Sequence, residues 1–146
     1  TDAMKARAAE LGMSELETVT LASIIEKETG APEERDLVSA VFHNRLEKGY
    51  RLQTDPTVIY GLEDFDGNLT KKDLRTDHPY NTYTRSGLPV GPIANPGEAS
   101  LRAALYPADV SYLYFVAKGD GTHVFTNTLV EHNRAVSRYQ LKGNPR

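Results

Sequence analysis

The chain has 146 residues, 39% of them hydrophobic and 25% charged, the balance of an ordinary soluble globular protein with a real core. Its net charge of −3 and pI near 5.8 offer no basic stripe for nucleic acid, and no apolar run nears the ~20 residues of a membrane span. With no cysteine it can form neither a disulfide nor a thiolate metal site.

In chain order, the opening TDAMKARAAELG reads as the trailing end of a preceding helix. Residues 1–13 are therefore expected to be the tail of an upstream segment, with any targeting signal further upstream. The rest reads as one domain without repeats or an interdomain linker. Ser14 and Glu17 have the S-x-x-E spacing of a capping box and open a helix through LASIIEKET at residues 21–29, which Gly30 should close in a left-handed conformation. Leu16, Val19, Leu21, Ala22, Ile24 and Ile25 spread round most of its circumference, so burial on most sides is expected.

This helix ends in two carboxylates. At about 100° per residue Glu28 shares a face with Ile24 and Leu21, whereas Glu26 falls nearer Val19 and Ala22. A carboxyl group on an apolar face at a helix C-terminus is disfavoured as an anion, by desolvation and by the negative end of the helix dipole. That is the environment of a general acid. The alternative is an exposed last-turn residue with an ordinary pKa, and placement does not choose between them.

Pro32 opens a second helix, with Glu33, Glu34 and Asp36 in its first turn, Leu37, Val38, Val41, Phe42 and Leu46 at helical spacing, Arg45 and Lys48 near its end, and Gly49 as its stop. Residues 50–53 suggest a short strand. Asp55 and Pro56 follow as N-cap and first residue of a short helix ending at Gly61. Residues 63–69, EDFDGNL, form a turn-rich loop whose glycine and missing closing glutamate fail the calcium-loop pattern, and residues 70–75 suggest another short helix. Residues 78–97, HPYNTYTRSGLPVGPIANPG, are irregular and rich in groups that bind polar ligands. Asn95 and Pro96 should start a helix through Leu105 with Leu101, Ala104 and Leu105 inward. Residues 112–118 and 122–126 are two strands joined by Gly119, Asp120 and Gly121. Thr128 and Glu131 form a further capping box, opening a helix whose apolar side is Leu129, Val136 and Tyr139. The sum is a helix-rich α+β domain with one hairpin.

His43, His78, His123 and His132 make no metal-binding spacing, with His43 a packing or surface residue. No G-x-S-x-G elbow and no phosphate-binding glycine loop is present. Tyr60, Tyr80 and Tyr83, with Gln53, Asp55 and Asn81, have the chemistry of a sugar site, in which rings stack on sugar faces and amides and carboxylates meet hydroxyls. Equally, the tyrosines could cap the core while the polar residues make turns.

The strings LASIIEKET, ERDLVSAVFHNRL, RLQTDPTVIYGL, YNTYTRSGLPVGPIANPG, ALYPA, YLYFVAKGDGTHVFTNT and EHNRAV, in this order from Val19 to Tyr139, resemble the catalytic domain of the MltG (YceG-like) endolytic murein transglycosylases. Val90 stands where many members have a second proline. The resemblance implies a lysozyme-like fold around the glutamate helix, no cofactor, and cleavage of the β-1,4 bond from N-acetylmuramic acid to N-acetylglucosamine inside glycan strands, leaving 1,6-anhydromuramoyl ends. One carboxyl group serves, first as acid and then as base, because the 6-hydroxyl of the muramoyl residue replaces water. The family's catalytic glutamate is the second of the E-K-E-T string, here Glu28. Gln53, Thr54, Asp55, Tyr60, Asn81, Thr82 and Tyr83 fall along the implied glycan cleft. Family members act on the outer face of the cytoplasmic membrane beside cell-wall synthesis proteins, held by an N-terminal anchor and usually carrying a LysM-like module, neither of which is in this sequence. Two rivals remain: a hydrolytic muramidase, for which Asp55 would be the second carboxylate, and a non-catalytic peptidoglycan-binding scaffold.

Overall fold

The computed structural model describes residues 1–141. It is an α+β fold in which helices pack round one central helix and a two-stranded hairpin leans against them. Helix α1 (Asp2–Glu10), in the stretch read as a trailing end, is capped by Thr1 and docked on α6 (Glu98–Leu105), where the Arg7 guanidinium donates to the Leu105 carbonyl at 2.9 Å. Helix α2 (Glu15–Glu28) starts at the Ser14–Glu17 capping box, both of whose reciprocal hydrogen bonds form. Its Leu21, Ala22, Ile24 and Ile25 are fully buried against Val38 and Phe42 of α3 (Arg35–Lys48) and Ala103 and Ala104 of α6. Burial of four such side chains, at roughly 1.5–3 kcal/mol for each large one, makes α2 the centre of the core. Leu16, expected inside, is 58% exposed, along with the rest of the first turn of α2.

Five local expectations need correction. Gly30 is not left-handed, since α2 is capped by Thr29 in extended geometry. A Cβ on Gly30 would stand 2.9 Å from the Gly121 carbonyl oxygen, so glycine there permits a close approach of the hairpin turn. Residues 50–53 make no strand, for Gln53 takes φ +51° and breaks the extended run. Helix α4 (Asp55–Tyr60) has Thr54 rather than Asp55 as N-cap, and α6 begins at Glu98 behind Gly97 rather than at Asn95. Leu129, at the apolar spacing of α7 (Leu129–Val136), is 55% exposed, and Ala135 is the buried residue.

Elsewhere local chemistry decides. Pro32–Glu34 forms a 3₁₀ turn before α3, and Gly49 ends α3 in the left-handed region at φ +76°. Thr70 and Asp73 cap α5 (Lys71–Arg75) reciprocally, although sequence alone marked only a helix there. Strands β1 (Tyr114–Ala117) and β2 (His123–Thr126) pair antiparallel with Phe115 opposite Phe125, and Asp120 turns the chain between them by accepting from the Thr122 amide at 2.9 Å. The Thr128 hydroxyl accepts from the Glu131 amide at 3.2 Å but donates to the Glu131 carboxylate, so the reciprocal half of that box is side chain to side chain. Ser23, wholly buried, donates to the Thr20 carbonyl and accepts from the Ile93 amide at 3.0 Å, which pins the proline-rich loop to α2. No helix among the described residues is long and apolar enough to cross a membrane.

Candidate active site

The two carboxylates at the end of α2 part company in space. Glu26 turns to α6, where its Oε1 accepts from the Gly97 amide at 2.8 Å and the Ser100 hydroxyl at 3.2 Å. Gly97 has no side chain with which to cap α6, so Glu26 supplies the anion its N-terminus favours. Glu28 instead lines a cavity of about 460 Å³. Burial, and then the charge of Asp55, push its carboxyl up to about 7. Half of it is therefore protonated near neutral pH.

The cavity is walled by the end of α2, by Val41, Phe42 and Arg45 of α3, by residues 52–55, by Tyr83, by the hairpin and by α7. Each wall has its own support. The Tyr83 hydroxyl donates to Asp55 Oδ1 at 2.6 Å, and the Tyr83 amide donates to Asn81 Oδ1 at 2.8 Å. Opposite, His123 Nδ1 donates to Glu34 Oε1 at 2.9 Å and its amide to Glu34 Oε2 at 3.2 Å, which ties the start of β2 to the head of α3. Arg45 holds the start of the hairpin through the Leu113 carbonyl and the Arg51 carbonyl, both at 2.7 Å.

Of the residues singled out from sequence, Glu28, Gln53, Thr54, Asp55 and Tyr83 come together on this cavity. Three others lie off its wall. Tyr60 is exposed and packs edge-on against Tyr80, with ring centroids 4.8 Å apart. Asn81 and Thr82 are each 1% exposed and act as bracing. Asn81 Nδ2 donates to the carbonyls of Leu74 and Thr76, while the Thr82 hydroxyl accepts from the Thr54 amide at 2.9 Å and bonds the Thr57 hydroxyl. They set the position of the 52–55 and Tyr83 walls from behind. Gln53, between these walls, bears the only positive φ of a non-glycine among the described residues, a conformation that persists only where surrounding contacts impose it.

Sequence reasoning missed Arg45, Tyr114, Phe115, His123 and His132 on this wall. His132 lies face to face with Tyr114 at 5.0 Å, its Nδ1 is buried without a partner, and burial followed by the Arg45 charge lowers its pKa. His43, elsewhere, is a packing residue, with Nε2 donating to the Ala104 carbonyl at 2.7 Å. No cluster of three or more His, Cys, Asp or Glu among the described residues is placed to hold a metal ion. The arrangement offers one carboxyl of raised pKa, a second carboxylate acting on it, and aromatic and amide surface around both.

Comparison with known proteins gives the chain its family. An endolytic murein transglycosylase of Bacillus subtilis (strain 168) is 50% identical over 121 residues, covering 83% of this chain and 34% of the relative. One of Streptococcus pneumoniae (serotype 2, strain D39) is 31% identical over 129 residues, covering 84% of this chain and 23% of the relative. The chain thus spans about a third or less of the length of these curated relatives. A crystal structure of a yceG-like protein from Listeria monocytogenes superposes with TM-score 0.81 at 47% identity, covering 89% of this chain and 42% of that one. The YceG-like family model matches residues 1–138, and this chain belongs to the YceG-like family.

Proposed function

We propose that the chain is the catalytic part of an endolytic peptidoglycan lytic transglycosylase, with Glu28 as its general acid and base. The observation that carries this reading is the carboxyl group of Glu28, held at a pKa of about 7 on a cavity that also presents Asp55 and Tyr83. The names of the relatives support it. Protonated Glu28 gives its proton to the glycosidic oxygen as the bond from C1 breaks. The resulting carboxylate takes the proton of the muramoyl 6-hydroxyl as that oxygen bonds to C1, which closes the 1,6-anhydro ring and restores the acid. Asp55, oriented by the Tyr83 hydroxyl, faces the positive charge that develops at C1. Gln53, Thr54, Asp55 and Tyr83 contact the glycan, and Asn81 and Thr82 serve by bracing them. Tyr60 would meet only sugars lying outside the cavity. Action at the outer face of the cytoplasmic membrane, alongside cell-wall synthesis proteins, belongs to the same proposal.

One observation favours a second reading. Asp55 is close enough to Glu28 to raise its pKa, and a carboxylate in that place could activate water in a hydrolytic muramidase. Mass spectrometry of purified peptidoglycan digested by the chain, with Glu28→Gln beside it, separates the readings. Anhydromuramoyl ends that vanish in the variant support the transglycosylase. Reducing ends assign hydrolysis, and intact strands with binding retained assign a scaffold.

A further inference from the structure

Arg45 poses a question that the reaction leaves unanswered. Its side chain is buried, with the residue only 9% exposed, and burial lowers its pKa. A buried cation is costly unless an anion compensates it. The described residues form four ion pairs, and none includes Arg45. Its Nε and Nη1 are satisfied by the carbonyls of Leu113 and Arg51, and its guanidinium lies over the rings of Tyr114 at 4.9 Å and Tyr50 at 5.9 Å. Carbonyls and ring faces solvate the charge without neutralising it. A neutral donor could have held the two carbonyls.

The position of Arg45 indicates what the charge is for. A second cavity, of about 590 Å³, adjoins the Glu28 cavity and shares Arg45, Gln53 and Tyr114 with it. Its further walls are Tyr50, Ser86 and the exposed Arg51, with no carboxylate among its lining residues. A space with two arginines, two tyrosines and a serine, opening beside a glycan site, suits an extended anionic chain rather than another sugar. Resting on the function proposed above, we propose that Arg45 and Arg51 bind a carboxylate of the peptide stem carried by the muramoyl lactyl group. Arginine suits this role because the planar fork of the exposed Arg51 can meet a carboxylate with paired hydrogen bonds, while Arg45, whose Nε and Nη1 hold carbonyls, adds its charge and its Nη2 donors. A cavity of this size far exceeds what the bare lactyl carboxylate would fill, so the stem is the favoured source.

The test is calorimetric binding to the Glu28→Gln chain, which leaves the ligand whole. Three probes of equal length are compared: glycan oligomers with peptide stems, the same oligomers stripped by an amidase to the lactyl carboxylate, and chitin oligomers without any carboxylate. The stem-bearing probe should bind about tenfold more tightly than the stripped one, as a charge-assisted pair at an accessible site gives. Arg51→Gln, which alters an exposed side chain, and Arg45→Lys, which keeps the charge but loses the Nη2 donors, should each bring the two dissociation constants together. Constants that stay tenfold apart in both variants overturn the proposal. So does a preference confined to stripped oligomers over chitin, which would make the lactyl carboxylate the bound anion. Because binding is measured without cleavage, a parent chain that fails to cut glycan would sink the proposed function and leave this ratio standing.

Discussion

The last turn of α2 has two faces that treat the same side chain differently. On the α6 face, Glu26 receives two hydrogen bonds and completes a helix N-terminus. On the cavity face, two residues later, Glu28 meets apolar surface and another carboxylate, and its proton is held up to about 7. The same side chain on the same helix is thus a structural anion in one place and a proton store in the other. Glu26 meets hydrogen-bond donors there, whereas burial and then the charge of Asp55 favour the neutral form of Glu28.

The largest effect should come from removing the proton store. Glu28→Gln is expected to lower glycan cleavage by about 10³-fold or more, measured by release of new chain ends. The same variant should raise stability, and the sign follows from linkage. The folded pKa lies above the ordinary 4.5, so the advantage of the protonated form is fully present below pH 4.5 and is lost as pH rises through about 7. Thermal melts should therefore show parent and variant alike at pH 4, and the variant more stable by roughly 2–3 kcal/mol at pH 8. No gain at pH 8 would mean that Glu28 ionises there as readily as in water.

Asp55→Asn acts on the cavity face from the side of the partner carboxylate. Without that charge the Glu28 pKa should fall, though not to its ordinary value, because burial is the larger cause. The alkaline limb of the rate profile moves to lower pH, and the rate at neutral pH drops by about 10–100-fold through weaker charge stabilisation. An unmoved limb would uncouple the two carboxylates. Gly30→Ala drives a methyl group against the Gly121 carbonyl, displacing the hairpin from α2. A loss of about 1–2 kcal/mol in denaturant titration, with reduced cleavage, is expected. Glu26→Gln, which leaves an acceptor facing α6 but removes its charge, should cost about 0.5 kcal/mol and change cleavage by only a few-fold. A loss matching that of Glu28→Gln would abolish the distinction between the faces.

Much of the fold was legible because it is written locally. The Ser14–Glu17 box, the Gly49 stop, the run of α3 and the aromatic and β-branched residues of β1 and β2 need nothing beyond their own segments. Gly30 shows the limit of such reading. A glycine after a helix signals a left-handed cap, whereas here it makes room for a residue 91 positions later, a contact that no local pattern encodes. Gln53 similarly broke a strand-like stretch through tertiary constraint. At the site, helix geometry could prefer Glu28 over Glu26 because face and helix end are local properties, but its role came from the resemblance of the E-K-E-T string. Arg45 could not, since its position suits a helix C-terminus and only packing turns it toward two cavities. Asn81 and Thr82 have the polarity of ligand-binding residues, yet the same hydrogen-bonding capacity is spent on backbone behind the wall.

The tie between Glu34 and His123, 89 residues apart, governs how the molecule comes into being. The α2–α3 pair rests on contacts close in sequence, whereas docking the hairpin on the head of α3 must close a long loop before its contacts reward it. The hairpin wall of the cavity is therefore expected to dock late in folding. The cavity is also the first part to be lost when the hairpin detaches, so proton exchange at the β1–β2 amides should outpace exchange at those of α2, and activity should fail on heating before the helices do.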